Sequence, residues 1–226
     1  VVANKKQKTP AQAQRSKIAE AIRKRGDKGT NIWLVRPPFE QKDLILNSDP
    51  AFEAFYLLEG EPDFKDIRYL PHWYEVQDVK QAWQPSKPFA SVTTLAGGTL
   101  QVELAFDAAA PKGDAARELA PVDGIVTVNL HVLNSHVQRV ENWRRVVPCI
   151  RRVRVHSTRS VERQILIRLN SLKRSTLGKL QAEFSDVEVG IFYGAVATLL
   201  RRRDLCANLD THPWSTHTLV WSAEAC

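Results

Sequence analysis

The stretch Lys87–Phe106, KPFASVTTLAGGTLQVELAF, decides how the rest of the chain is read. Alternating and β-branched residues run up to Gly97-Gly98 and away from it again, the pattern of two antiparallel strands joined by a tight turn. Upstream, Ser48 or Asp49 is placed to cap a helix with Pro50 at its first position. Phe52, Phe55, Tyr56 and Leu58 give that helix an apolar face, and Pro62 ends it. The helix carries Glu53 and the second strand carries Glu103.

Further out, DIRYLPHWYEV (66–76) predicts an edge or bent strand, because Pro71 interrupts it. DGIVTVNLHVL (123–133) predicts a buried strand, followed by a helix around His136 to Val147. Beyond residue 153, helices are expected over 160–169, 175–184 and 187–202, then two short strands around Pro213. Three helices and a terminal hairpin have a winged-helix outline. The expected organisation is a basic arm over 1–30, a mixed α/β domain over 31–153 and a small winged-helix-like domain over 154–226.

Charge divides the chain the same way. The net charge is +7 over 1–30, −7 over 31–136 and +7 over 137–226. Basic ends suit a polyanion, and an acidic middle suits a metal site or a basic protein partner. No apolar run approaches the roughly 20 residues needed to span a bilayer. Cys149, Cys206 and Cys226 lack metal-ligand spacing and read as reduced thiols, which places the protein in the cytoplasm. The histidines, His131, His136, His212 and His217 among them, read as structural or surface residues.

The ordered motifs resemble TnsA, the endonuclease subunit of heteromeric cut-and-paste transposases. RPPFEQKDLILNSDPAFEAFYLLEGEPDFKDIRYLP resembles that family's helix glutamate, acidic turn and strand leading into the hairpin. PFASVTTLAGGTLQVELAF resembles its Pro-Asp-Phe, Gly turn and Val-Glu-x-Lys. VENWRRV (140–146) and the ending RRRDLCANLDTHPWSTHTLVW resemble its later helix and C-terminus. The resemblance implies a restriction-endonuclease-like mixed sheet flanked by helices, the PD-(D/E)xK nuclease fold, followed by a C-terminal helical domain. It implies Mg²⁺-dependent cleavage of donor strands at transposon ends, with a DDE-type transposase and an AAA+ ATPase regulator as partners. Carried over, Glu53 is the helix carboxylate and Glu103 the carboxylate of the last triplet, both as metal ligands. Ala90 stands at the Asp position and Ala105 at the Lys position. Losing one preorganised charge-stabilising group costs roughly a hundred- to a thousandfold in rate, so cleavage is expected at background. Two other readings are a DNA-binding adaptor outside transposition and an active nuclease whose ligands include Asp107 or Asp114.

Eight arginines fall between Arg139 and Arg163 against Glu141 and Glu162. Arg144, Arg145, Arg151, Arg152 and Arg154, with Lys173, Arg174, Arg201, Arg202 and Arg203, are the expected DNA contacts. Guanidinium forks suit phosphate oxygens and position a protein without reading bases. RRVRVHSTR reads as a strand with Arg152, Arg154 and His156 on one face. Trp143 is either a core anchor or a surface for stacking on DNA.

Overall fold

Ser48 begins the element that organises the domain. In a computed structural model its backbone is extended and its Oγ accepts a hydrogen bond from the Ala51 amide at 3.2 Å. This cap, with Pro50 in the first turn, starts helix α1 (Asp49–Gly60) where the sequence placed it. The structure describes Ser16, residues 31–70 other than Lys42 and Asn47, residues 88–106 and residues 119–225. The basic arm (Ser16 apart), the second half of the 66–76 strand and the stretch holding Asp107 and Asp114 lie outside the described residues.

Two short strands, β1 (Trp33–Val35) and β2 (Leu44–Leu46), pair antiparallel just before α1. After it come β3 (Phe64–Tyr69), β4 (Ala90–Thr94), β5 (Thr99–Leu104) and β6 (Ile125–Val128), which form one sheet in the order β3-β4-β5-β6. The first three are antiparallel and β6 runs parallel to β5. The turn between β4 and β5 forms at the two glycines, with Gly97 at φ 87°, a conformation that costs a residue without a Cβ little. The protein is therefore mixed α/β, with a four-stranded mixed sheet flanked by helices.

Alternation decides which face of the sheet is core. Tyr69, Ala90, Val92, Val102, Leu104, Val126 and Val128 are all buried. Their cross-strand partners match, with Tyr69 opposite Ala90, Ala90 opposite Val102 and Val102 opposite Val126. This face meets α1, where the Tyr69 ring packs on Phe55 and its hydroxyl donates to Glu59 at 2.9 Å.

The buried strand predicted over 123–133 is shorter than expected. Asn129 accepts from the amides of His131 and Val132 and so caps α2 (Leu130–Ser135), which takes LHVL out of the sheet. Within β6 only Val126 and Val128 are buried. Helix α3 (Val137–Arg152) follows, with Pro148 inside it. It runs one turn beyond the expected end, and this overturns the strand predicted for RRVRVHSTR. Arg151 and Arg152 close α3, and Arg154 and His156 lie in the turn after it.

The C-terminal part consists of α4 (Arg159–Leu172), β7 (Arg174–Thr176), α5 (Leu177–Glu183), α6 (Val189–Arg202), β8 (Leu205–Ala207) and β9 (Leu219–Ser222). The strands form an antiparallel sheet in the order β7-β9-β8. One continuous group of buried apolar residues runs from Val35 to Val220, so both parts share a core. Helix α3 lies at its centre, packed on α1 on one side and α6 on the other. No helix among the described residues is long and apolar enough to cross a membrane. Cys149 is a free thiol, and burial pushes its pKa up.

Candidate nucleic-acid interface

Helix α3 sorts its residues by face. Val140, Trp143, Val146, Val147 and Ile150 are buried, and Glu141, Arg144, Arg145, Pro148, Arg151 and Arg152 are exposed. The exposed set recurs at three- and four-residue intervals, which lines it along one side of the helix. From Arg144 to Arg152 the row extends about 12 Å at the rise of an α-helix. Arg144 is partly engaged, pairing with Glu141 at 2.7 Å and lying 5.3 Å above the Phe52 ring.

At the C-terminal end of the row, Arg151, Arg152, Arg154 and Pro148 line a cleft of about 320 Å³ with Arg36, a residue the sequence reading did not single out. Arg36 pairs with Asp43, which leaves three guanidiniums to set the sign of the cleft. Arg154 also donates to the Glu40 carbonyl at 3.3 Å, fixing the turn after α3 on the β1–β2 connection.

Two of the expected DNA contacts are instead internal. Arg201 is 3% exposed, donates from Nε to Glu59 Oε2 at 2.5 Å and from Nη1 to the Lys65 carbonyl at 2.9 Å. Arg203 donates to the carbonyls of Phe64, Leu200, Glu59 and Glu61 and stacks over Trp143, and burial pushes its pKa down to about 10. Both arginines cap open carbonyls around the end of α1 and join it to α6. Arg202, between them, turns outward and pairs with Glu162 at 2.8 Å. Lys173 and Arg174 are exposed, and Arg174 stacks on Trp221 across the small sheet. Trp143, 3% exposed, is a core anchor. Gly60 makes room for it, since a Cβ there would lie 2.5 Å from the indole Cδ1.

The carboxylate positions do not converge. Ala90 faces the core beneath α1 with no exposed surface. Glu103 is one residue on from Val102, Ala90's partner, so it projects from the opposite face of β5. Ala105, whose amide continues the ladder to the Val128 carbonyl, keeps the same alternation as Glu103. β5 is an interior strand, so the sheet itself separates Glu103 from α1. Glu53 looks toward α3. Burial raises its pKa above the usual carboxylate value, the nearby Arg144 guanidinium offsets part of this, and Asp49 and Glu141 add to it. Glu53 and Glu103 so placed do not fit a shared Mg²⁺ ion. Among the described residues no group of three or more His, Cys, Asp or Glu side chains is placed to hold a metal.

The raised pKa of Glu53 has a sign that can be checked. A carboxyl whose folded pKa lies above its unfolded value binds its proton more tightly when folded, so it favours folding at low pH and loses that contribution as pH rises through the folded pKa. Glu53→Gln is therefore expected to raise the urea midpoint at pH 7 and to give no advantage at pH 4. An equal change at both pH values would assign the effect to packing.

The three-stranded C-terminal sheet, the arginine row and the separated carboxylates make up the geometry of the candidate site. Comparison of the chain with protein-family models, with curated proteins and with solved structures found no match to any of them.

Proposed function

We propose that the chain is a TnsA-like subunit of a DNA transposition complex, one that holds DNA by its phosphates and leaves strand cutting to its partners. The observation that carries this reading is the exposed row Arg144, Arg145, Arg151 and Arg152, continued by Arg154 and Arg36 around the cleft. Guanidiniums on a rigid helix suit a regular polyanion, because their spacing is set before binding.

The scaffold supports the family. One helix, three antiparallel strands, a crossover and a fourth parallel strand is the order expected of a restriction-endonuclease-like core. The later order helix–strand–helix–helix–strand–strand, with its three-stranded sheet, is similar to the order of a winged helix and supports that part of the reading. In such a unit α6 occupies the recognition-helix position. Here α6 packs on α3, and its residues from Phe192 to Arg201 are buried apart from the half-buried Tyr193. Base reading by α6 is blocked in this arrangement, and site choice falls to the DDE-type transposase and the AAA+ ATPase that the resemblance implies. The reading includes no Mg²⁺ step, because the residues at the family's positions are on different faces.

The test is binding of a fluorescent duplex across a range of salt concentrations. Each neutralised phosphate contributes about 0.9 to the slope of log affinity against log salt. Changing Arg144, Arg145, Arg151 and Arg152 together to alanine should therefore flatten the slope by about three to four units and weaken binding at low salt. An unchanged slope would overturn the reading. A second arm places Ala90→Asp with Ala105→Lys in Mg²⁺ with the transposase present. No cleavage is expected, and cleavage would show that these positions meet in the working complex.

A further inference from the structure

The connection between β1 and β2 presents an aromatic ring among cations. Pro37 and Pro38 are buried, and the Glu40 amide donates back to the Pro37 carbonyl at 3.3 Å, closing a tight turn. Two prolines limit the backbone of this turn before anything binds. Its tip is Phe39, which is 54% exposed. The guanidiniums of Arg201 and Arg202 both lie 5.9 Å from the ring centroid. Arg201 is immobilised beneath the ring by Glu59, and Arg202 stands beside it, nearly half exposed.

The ring also lies between two arginine-lined depressions. On one side is the cleft of Arg36, Arg151, Arg152 and Arg154, joined to the turn by the Arg154–Glu40 hydrogen bond. On the other is an open groove of about 560 Å³ between α4 and α6, where Arg159, Arg163 and Arg202 outnumber the carboxylates Glu162 and Asp204, with Glu162 paired to Arg202. Arg202 touches both the ring and that groove. Cations on either side of an exposed aromatic ring suit phosphate, base, phosphate in succession. An apolar partner surface would have no use for the flanking guanidiniums, whereas an unstacked base has a π-face for the ring and a charged backbone for the arginines.

We infer that Phe39 stacks on an unstacked DNA base, either in a single strand or at a duplex step that the ring itself opens, while the two arginine-lined depressions hold the adjoining phosphates. The inference rests on the DNA-binding reading and deepens it. A preset turn favours this role, since little freedom is lost when the ring meets the base. Insertion of an apolar side chain at a base step is a known route to a kinked duplex, so both sources share one chemistry.

The probe is an oligonucleotide carrying 2-aminopurine, whose fluorescence reports stacking, used single-stranded and within a duplex. Phe39→Ala should weaken binding of the single strand about fivefold to a hundredfold, the range for loss of one stacked base, and abolish the protein-dependent fluorescence change. Phe39→Trp should retain both, and Phe39→Leu, apolar but without a π-face, should lose them. A fluorescence change with the duplex that disappears in Phe39→Ala would assign the opened duplex step. Thermal unfolding should be unmoved in all three variants, because the side chain is largely outside the core.

Two results would overturn the inference alone. In one, Phe39→Ala binds every DNA as the parent does while the quadruple arginine variant loses binding. In the other, Phe39→Ala loses only its association with the transposase, making the turn a protein-docking knob. Parent-like DNA binding by the quadruple arginine variant would instead overturn the DNA reading itself.

Discussion

Arg201→Met is expected to destabilise the protein by about 3–5 kcal/mol, the usual cost of removing one partner from a buried ion pair. Glu59 is 1% exposed and Arg201 is 3% exposed. With the guanidinium gone, the Glu59 carboxylate keeps the Tyr69 hydroxyl at 2.9 Å, and the Lys65 carbonyl loses its donor. In a chain of this length the loss corresponds to roughly 6–20 °C in Tm. Glu59→Leu combined with Arg201→Met should recover most of it, because replacing both charges removes the desolvation cost along with the attraction. Urea unfolding of the two variants decides the point. A single-variant loss below about 1 kcal/mol would mean that water reaches Glu59 and that the pair does not hold α6 against α1.

Gly194→Ala tests the other side of the same junction. α3 and α6 approach so closely there that an added Cβ would sit 2.9 Å from Val153 Cβ and closer still to both of its methyl carbons. Alanine gains about 1 kcal/mol over glycine in helix propensity, which acts against the clash. Overpacking of a core costs about 1–3 kcal/mol and occasionally more, and because the clash includes Val153 Cβ, which no change of rotamer moves, the substitution falls at the upper end. The net expectation is a loss of about 2 kcal/mol in urea unfolding, relieved when Val153→Ala is added. A stabilised single variant would show that the helices can separate without penalty.

The hairpin and the capped helix were legible in the sequence because their signals are local. Two adjacent glycines, a cap serine and a proline in the first turn act within a few residues of where they stand. The strand predicted over 123–133 failed for an equally local reason. Asn129 offers its side chain to two amides, and a β-branched run beside it does not reveal which of the two conformations wins. RRVRVHSTR failed because alternating arginines and valines satisfy a strand pattern, while Ile150 and Val153 in fact complete the buried side of α3 and its exit.

The site was less legible than the fold. Arg201, Arg202 and Arg203 are identical letters in a row, and the core separates them, because consecutive helical positions point about 100° apart and the last turns αL at φ 67°. Nothing local distinguishes the exposed one. Arg36 and Phe39 join the interface from the opposite end of the chain, which no spacing rule anticipates. The facing of Ala90 and Glu103 is set by a register with an even offset across the Gly97-Gly98 turn, and a motif written as a string of letters does not contain that parity.

The burial of α6 against α3 bears on how such a protein changes over time. A helix enclosed from Phe192 to Arg201, Tyr193 apart, tolerates few substitutions there, and those it accepts register as altered stability. If the chain is the transposition subunit proposed above, new target sites would be acquired elsewhere in the assembly, with this chain unchanged. The same chain would serve a series of differently addressed elements, much as one handle accepts many blades.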